Sequence, residues 1–455
     1  MLAPSPRYIA VSLRALLTLA APVVLSRLGI MAMGLVDTIV VGRHSATELG
    51  YLALAWAPTS IVLTAAIGLL QGIQVLTSQA IGAGRAVDTG AVLRRGLVYA
   101  FWVGCAAAAL LVLFGGPVLQ HIGLETSLGR GATPVLQTLA LSMLLIMLAD
   151  AGIFWLEAHG RAVPGMVCMW AANVVNLGLN LWLVPGRSGF AVEGAVASAW
   201  STALSRTALL LFVAVAIGGW RQARGFGVFR RPPRDAQAGR DLRHIGYGAS
   251  VSYAIESSAF AGMTIVAGWL GASAVASWAI LINVFAVVFM APLGLATASA
   301  VLVGRAFGAH NPADIRRAGA LGFGSTVVLT LAISVAIGLA APAIAAAYTH
   351  DAAVQRVTTT GLVLAAWLFF VTDGLQVVAA QSLRARGDIW VPAAAHFFSY
   401  IAILLPAGYI AAVVLKLGVD GIVWGTAVAS GISAGLLMGR FAWLSLSTSL
   451  MVRVA

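Results

Sequence analysis

Charge is scarce in this sequence. Of 455 residues, 9% are charged and 60% are hydrophobic, whereas a soluble domain carries about 25% charged residues. So small a share cannot build a water-facing surface. This excludes a soluble protein and leaves lipid as the surrounding medium. Lysine is almost missing, Lys416 being the only one. Cysteine is limited to Cys105 and Cys168, both inside apolar stretches, so the chain carries no disulfide framework and no cysteine spacing of a metal site. No phosphate-binding glycine loop, metal cluster or catalytic dyad is found, which leaves an enzymatic role without support.

What charge there is leans to one sign. The net charge is +12, almost wholly from arginine. A basic stripe would point to nucleic acid. Here the arginines fall in short clusters between long apolar runs, the pattern of cytoplasmic loops in a membrane protein, and no nucleic-acid partner is expected. Residues 1–14 are short and mildly basic, and the apolar segment that begins near Leu13 continues for a full bilayer span. It reads as a first transmembrane helix rather than a cleaved leader.

About twenty apolar residues cross a bilayer as a helix. On that length the chain divides into spans near 14–41, 51–79, 96–115, 133–157, 164–184 and 192–218, then 245–269, 276–303, 318–341, 358–382, 391–415 and 420–443. With both termini in the cytoplasm, twenty of the 27 basic residues lie on the cytoplasmic side, Arg384 and Arg386 among them. Five lie opposite, and Arg27 and Arg206 fall within spans. The bias supports an even number of spans and this orientation.

The two halves repeat. Residues 38–53 read TIVVGRHSATELGYLA and residues 264–279, displaced by 226, read TIVAGWLGASAVASWA. The same offset places Gly68-Leu69 on Gly294-Leu295 and Asp88 on Asp314, and an offset of 227 places Glu193-Gly194 on Asp420-Gly421. The expected fold is an all-α polytopic membrane protein, with twelve transmembrane helices in two pseudo-symmetric six-helix bundles. Residues 1–218 form an N-terminal lobe, 219–244 a basic cytoplasmic linker containing Pro232-Pro233, and 245–455 a C-terminal lobe. In transporters built this way, substrate and ion sites lie near the repeat interface.

Four acids fall well within the spans: Asp37, Asp150, Glu256 and Asp373. An ionised carboxylate near the bilayer centre costs several kcal/mol unless water, a cation or a partner reaches it. Such a group can exchange H+ or Na+, the chemistry of an ion-coupled antiporter; the blander reading is structural pairing or interfacial exposure. Asp37 aligns with Met263 and Glu256 with Ile30, so these acids are specific to one lobe each, which favours function over scaffold. Asp150 lies seven residues before Glu157, which is read as sitting at the membrane exit. Asn173, Asn176 and Asn180, spaced i, i+3, i+7, share one helix face and form a candidate polar network, or else a set of helix-to-helix hydrogen bonds. Arg27 lies thirteen residues beyond Arg14, roughly 20 Å along a helix, and is expected to neutralise a carboxylate across the lobe interface, with Asp150 as a candidate. Arg206 has no evident partner. Phe369, Phe370 and Trp278 are candidates to line a cavity for a cationic aromatic ligand.

The segments VDTIVVGRHS (36–45), NVVNLGLN (173–180), SYAIESSAF (252–260) and TDGLQVVAAQSLRARGD (372–388) resemble the multidrug and toxic compound extrusion family, in particular its bacterial NorM-like branch. The resemblance covers essentially the whole chain. It implies a multi-pass protein of the bacterial inner membrane that exports small organic cations or amphipathic compounds in exchange for Na+ or H+. It further implies two six-helix bundles forming a V, with no cofactor and a monomeric state. By the same resemblance, Asp37 matches a protonatable aspartate of the first helix and Asn176 and Asn180 a polar pair of the fifth. Glu256 and Asp373 match an acidic pair that could hold Na+. Phe369 stands where some sodium-coupled relatives have tyrosine, which leaves the ion open. The rivals are a flippase for lipid-linked or polysaccharide precursors, which would call for cavity arginines, and a membrane-embedded enzyme or receptor.

Overall fold

Long runs of alanine, leucine and valine in hydrocarbon must satisfy every backbone N–H and C=O internally, and a helix does so within one segment. In the computed structural model, which describes residues 11–121, 126–187, 189, 192–230 and 235–454, helices dominate and no strand occurs among those residues. The first half contains α1 (Leu13–His44), α2 (Ala46–Gly82), α3 (Ala86–Leu119), α4 (Leu128–Ala158), α5 (Ala162–Leu183) and α6 (Gly194–Gly218). The second half contains α7 (Ala236–Trp269), α8 (Ala272–Gly308) and α9 (Pro312–Tyr348). There follow α10, built from Ala352–Leu368 and Phe370–Ala385, then α11 (Trp390–Val414) and α12 (Val419–Leu446).

Among the described residues, ten of these helices are long and apolar enough to cross a membrane, and α10, bent by 50° at Phe369, makes an eleventh. The twelfth is α7, 34 residues long. It is less apolar because Arg240, Asp241, Arg243 and His244 crowd its start. The protein is therefore an all-α polytopic membrane protein. Several helices outrun the spans read from apolarity. At 1.5 Å per residue, the 37 residues of α2, α8 and α9 reach well beyond a hydrocarbon core of about 30 Å.

Helix ends carry the internal repeat more sharply than the apolar interiors do. Both ends of α2 and α8 are displaced by 226 residues. Past their C-termini, Gly84 (φ 73°) and His310 (φ 51°), at the same offset, both take the left-handed conformation that ends a helix. Gly160 (φ 80°) and Gly387 (φ 84°), after α4 and α10, do the same at an offset of 227. Caps complete the starts. The Asn311 side chain accepts from the Asp314 N–H at 3.2 Å ahead of Pro312 at the first position of α9. Asp351 accepts from Ala353 and Val354 N–H ahead of α10.

The chain forms two compact units whose borders differ from the expected lobes. The first unit runs from Leu25 to Ser250. The second takes the described residues from Val251 onward together with the start of α1 up to Val24. Val11, Leu16, Leu19 and Ala20 belong to an apolar core with Leu295, Val301 and Leu302 of α8, and Gly294 of α8 backs directly onto Val24. The stretch expected to be a linker, 219–244, is in fact anchored to the first unit. Gly90 N–H of α3 donates to Phe226 C=O at 2.9 Å, Arg94 Nε donates to Val228 C=O, and Leu242 of α7 lies against Gly72 of α2. Trp220 and Phe226 pack on Trp155 and His159 at the end of α4. Apolar residues hidden among the arginines (Trp220, Ala223, Phe226, Val228) explain the anchoring. Pro232-Pro233 lies outside the described residues.

Candidate functional site

In the first unit the acid of α1 meets the amides of α5. Asp37 is almost fully buried. Its Oδ1 accepts from Asn176 Nδ2 at 3.1 Å and Asn180 Nδ2 at 2.8 Å, and its Oδ2 accepts from Thr202 Oγ1 of α6 at 2.7 Å. Asn176 and Asn180, one turn apart, present both amides to the same oxygen. Thr202 escaped the sequence reading, because a lone threonine in an apolar helix looks like any other small residue. Asn173 does not join this cluster: its Nδ2 donates to Met169 C=O of its own helix at 2.9 Å, a local bond that satisfies the amide without a partner helix. All donors to Asp37 are neutral.

Of the two in-span arginines of this unit, Arg27 has a different partner from the one expected, and Arg206, for which none was expected, has one. Arg27 Nη2 lies 3.5 Å from Glu157 Oε1, and Gln74 Nε2 of α2 donates to Glu157 Oε2 at 3.0 Å. The partner is therefore Glu157 rather than Asp150, and it belongs to the same unit, not to the opposite lobe. Glu157 is buried in the last turn of α4, where Trp220 and Phe226 of the connector pack on the neighbouring Trp155 and His159. The Arg27 guanidinium also lies 5.5 Å from the centre of the Phe154 ring. Arg206 of α6 donates to Ser142 Oγ at 2.6 Å, at the break in α4, and stacks 5.8 Å from the Trp56 ring. Asp150 is buried with neither carboxylate oxygen hydrogen-bonded. The charged groups near it are Arg27, Arg206 and Glu157.

In the second unit, α7 and α10 bring two acids together. Gln376 Nε2 donates to Glu256 Oε1 and to Asp373 Oδ1, each at 3.3 Å. One neutral amide thus bridges two carboxylates, with Asp373 in the first turn after the bend at Phe369. Gln376, i+3 from Asp373, shares its helix face; that spacing was the available signal for it. The aromatic candidates pack together in the core of the second unit. Phe369, Phe370 and Trp278 are buried and pack on Phe285 with ring centres 5.0, 5.5 and 6.2 Å away. Trp278 Nε1 donates to Thr264 Oγ1. They are core residues that brace the bend. Arg384, counted from sequence as a cytoplasmic loop residue, is fully buried in α10.

No group of three or more His, Cys, Asp and Glu side chains able to hold a metal occurs among the described residues. What the geometry offers is acids inside spans whose hydrogen-bond donors are neutral, in two clusters, one per unit. The MatE family model matches residues 22–182 and 249–410, one copy in each half. The chain belongs to the MatE family. It is a family of transporters, not of enzymes. Relatives within it include a probable multidrug resistance protein NorM of Caulobacter vibrioides, 49% identical over 94% of this chain and 91% of that protein. The multidrug resistance protein PmpM of Pseudomonas aeruginosa is 30% identical over 87% of this chain and 83% of its own length. Among solved structures, an outward-facing multidrug resistance MATE transporter of the MOP superfamily superposes with a TM-score of 0.87 at 20% identity, covering 99% of this chain and 98% of its own. A MOP superfamily transporter from Pyrococcus furiosus, described as having a binding pocket of reverse polarity that suggests a different function, reaches 0.88 at 19% identity over 98% and 97% of the two chains. The MATE fold, two bundles of six helices, is thus shared at low identity. The MatE match spans Asp37, both α5 amides, Glu256 and Asp373.

Proposed function

We propose that the protein is a secondary antiporter of the bacterial inner membrane, exporting small cationic or amphipathic organic compounds in exchange for Na+ or H+. The observation that carries this reading is the Glu256–Gln376–Asp373 bridge. Two buried carboxylates joined by a single neutral donor leave negative charge to be balanced, and a small cation or an organic cation can each balance it. Asp37, held only by neutral donors, offers a second place for a proton. An ion arriving from outside occupies the acids and disfavours the organic cation. Ion occupancy can bias the exchange between inward- and outward-open states only through a difference in affinity between them. The multidrug resistance names of the NorM and PmpM relatives support this class of cargo.

In the first unit the arginines within the spans are already engaged, which weighs against the anionic pyrophosphate of a lipid-linked precursor as cargo there. Arg27 is held by Glu157 and Arg206 by Ser142, so neither is open to a phosphate. The reading includes a monomer with both termini in the cytoplasm and no cofactor beyond the coupling ion. The deciding experiment is efflux of a fluorescent organic cation from proteoliposomes under a Na+ gradient and a pH gradient imposed separately. One gradient drives efflux in the native protein; Glu256→Gln and Asp373→Asn each abolish that dependence while inserting normally. Ion-driven efflux that survives in both variants removes the site assignment.

A further inference from the structure

The repeat that relates the two halves also relates α4 to α10. The second piece of α10, Phe370–Ala385, has the length and boundaries of the second piece of α4, Met143–Ala158, displaced by 227 residues. Under this displacement Glu157 falls on Arg384 and Phe154 on Gln381. Under the offset of 226 that relates α1 to α7, Arg27 falls on Tyr253. Both pairs are in contact in their own units. Arg27 meets Glu157 as an ion pair, with its guanidinium 5.5 Å from the Phe154 ring. Arg384 lies 5.5 Å from the centre of the Tyr253 ring, and the Tyr253 hydroxyl accepts from Gln381 Nε2 at 2.8 Å. The same corner of the fold is thus built twice. In the first unit the arginine faces a carboxylate at its own level; in the second the arginine has changed helix and faces an uncharged ring.

Arg384 is fully buried and none of its three guanidinium nitrogens is hydrogen-bonded. Tyr253 approaches without completing a hydrogen bond. A charge withdrawn from water without a counter-ion is among the costliest arrangements in a protein. Side chains on a helix lean toward its N-terminus, so Arg384 leans along α10 toward Gln381 and Gln376, where Glu256 is bound. Glu256 itself lies one turn beyond Tyr253 on α7. The positive charge acting on Glu256 comes from Arg384. The titratable and charged groups around the pair are Tyr253 and Glu256 on α7, Asp373 on α10, and His396 and Tyr400 on α11. Among them, Glu256 and Asp373 are the carboxylates.

We propose that Arg384 is a tethered cation that competes with the coupling ion for the Glu256 carboxylate. This rests on the reading of Glu256 and Asp373 as the coupling-ion site. With the site empty, the guanidinium offsets the charge of Glu256, one of the two carboxylates. With the ion bound, Arg384 falls back on the Tyr253 ring. The residue positions and tunes the site without holding the cargo, lowering the affinity for the ion enough that the ion leaves again on the other side.

The test is proteoliposome efflux of a fluorescent organic cation, titrated with Na+ or with external protons, whichever gradient drives the native protein. Removing one positive charge beside the carboxylate in Arg384→Gln should lower the half-saturating ion concentration by about tenfold and lower the maximal rate, because release slows. Arg384→Lys, which keeps the charge, should stay within about threefold of the native half-saturation. A purely structural arginine would lower yield and rate and leave half-saturation where it was, so a folded Arg384→Gln protein with native half-saturation overturns the proposal. If Arg384→Gln does not fold, Tyr253→Glu serves instead. It gives Arg384 a carboxylate at its own level, as Arg27 has, and should shift half-saturation in the same direction; native half-saturation in that variant overturns the proposal equally. Loss of ion dependence in Glu256→Gln together with an unchanged Arg384→Gln would refute the arginine's role while leaving the antiport reading intact. Normal ion dependence in Glu256→Gln would refute both.

Discussion

Replacing Asp37 separates the charge of the first cluster from its shape. Three donors converge on this carboxylate, from Asn176, Asn180 and Thr202, at 2.7 to 3.1 Å. Asparagine keeps the outline: its oxygen can still receive both α5 amides, and its own NH2 can meet Thr202. Exchanging charge-assisted for neutral hydrogen bonds loses about 1 kcal/mol each, and removing a buried charge returns part of that. Asp37→Asn should therefore stay within about 2 kcal/mol of the native protein. Leucine has nearly the same size but accepts nothing. It removes the acceptor of all three donors; Asn180 keeps the Asn176 C=O at 3.0 Å and Asn176 keeps Thr202 Oγ1 at 3.5 Å, so the loss is about 2–6 kcal/mol. The assay is twofold: thermal unfolding in detergent followed by size-exclusion recovery, and ion-driven efflux in proteoliposomes. Asp37→Asn should unfold near the native temperature yet lose efflux driven by a pH gradient, while Asp37→Leu should barely survive extraction. Equal stability of the two variants would refute the hydrogen-bond reasoning. Native pH-driven efflux by Asp37→Asn would refute the proposed proton role.

Other substitutions probe the surrounding structure. Arg27→Ala leaves Glu157 buried with only Gln74 as a donor and should cost about 3–5 kcal/mol; thermal unfolding should show Arg27→Ala/Glu157→Gln recovering most of that loss. Gly90→Ala would put a methyl group 2.3 Å from Phe226 C=O and 2.4 Å from Val228 N. It should undock the connector from α3, which limited proteolysis would report as new cleavage between residues 219 and 230. Asp150→Asn removes a carboxylate with no hydrogen bond of its own; it should leave ion-driven efflux running and change stability by less than Arg27→Ala does, as measured by thermal unfolding.

The class of fold was legible because lipid imposes one rule on composition and another on helix length, and both are visible in single letters. The repeat was legible because its helix ends are marked by glycine and by caps, which tolerate little change. The acids were legible because a carboxylate is conspicuous among alanines and leucines. Partners were harder. Which acid Arg27 meets depends on how α1 and α4 cross, and Asp150 and Glu157 lie only two turns apart on one helix. Arg384 was taken for a loop residue because the run SLRARGD looks like the end of a span; the helix in fact continues through Ala385 before Gly387 turns it. The packing of the aromatic candidates was hidden for a related reason. Phe369, Phe370 and Trp278 fill the space opened by the 50° bend in α10, and a bend without an internal proline leaves no mark in the sequence. The connector failed because its arginines drew attention away from Trp220, Phe226 and Val228.

Thr202 gives the first cluster a property its amides lack. An asparagine NH2 can only give a hydrogen; a hydroxyl can give one or take one by rotating about a single bond. The two oxygens of Asp37 are therefore unequal. Oδ1, crowded by two one-way donors, has no room for a hydrogen of its own, whereas Oδ2 faces a group that can turn around. If Asp37 takes up a proton, Oδ2 is the oxygen with a seat for it, because the threonine can swivel from giving a hydrogen to receiving one.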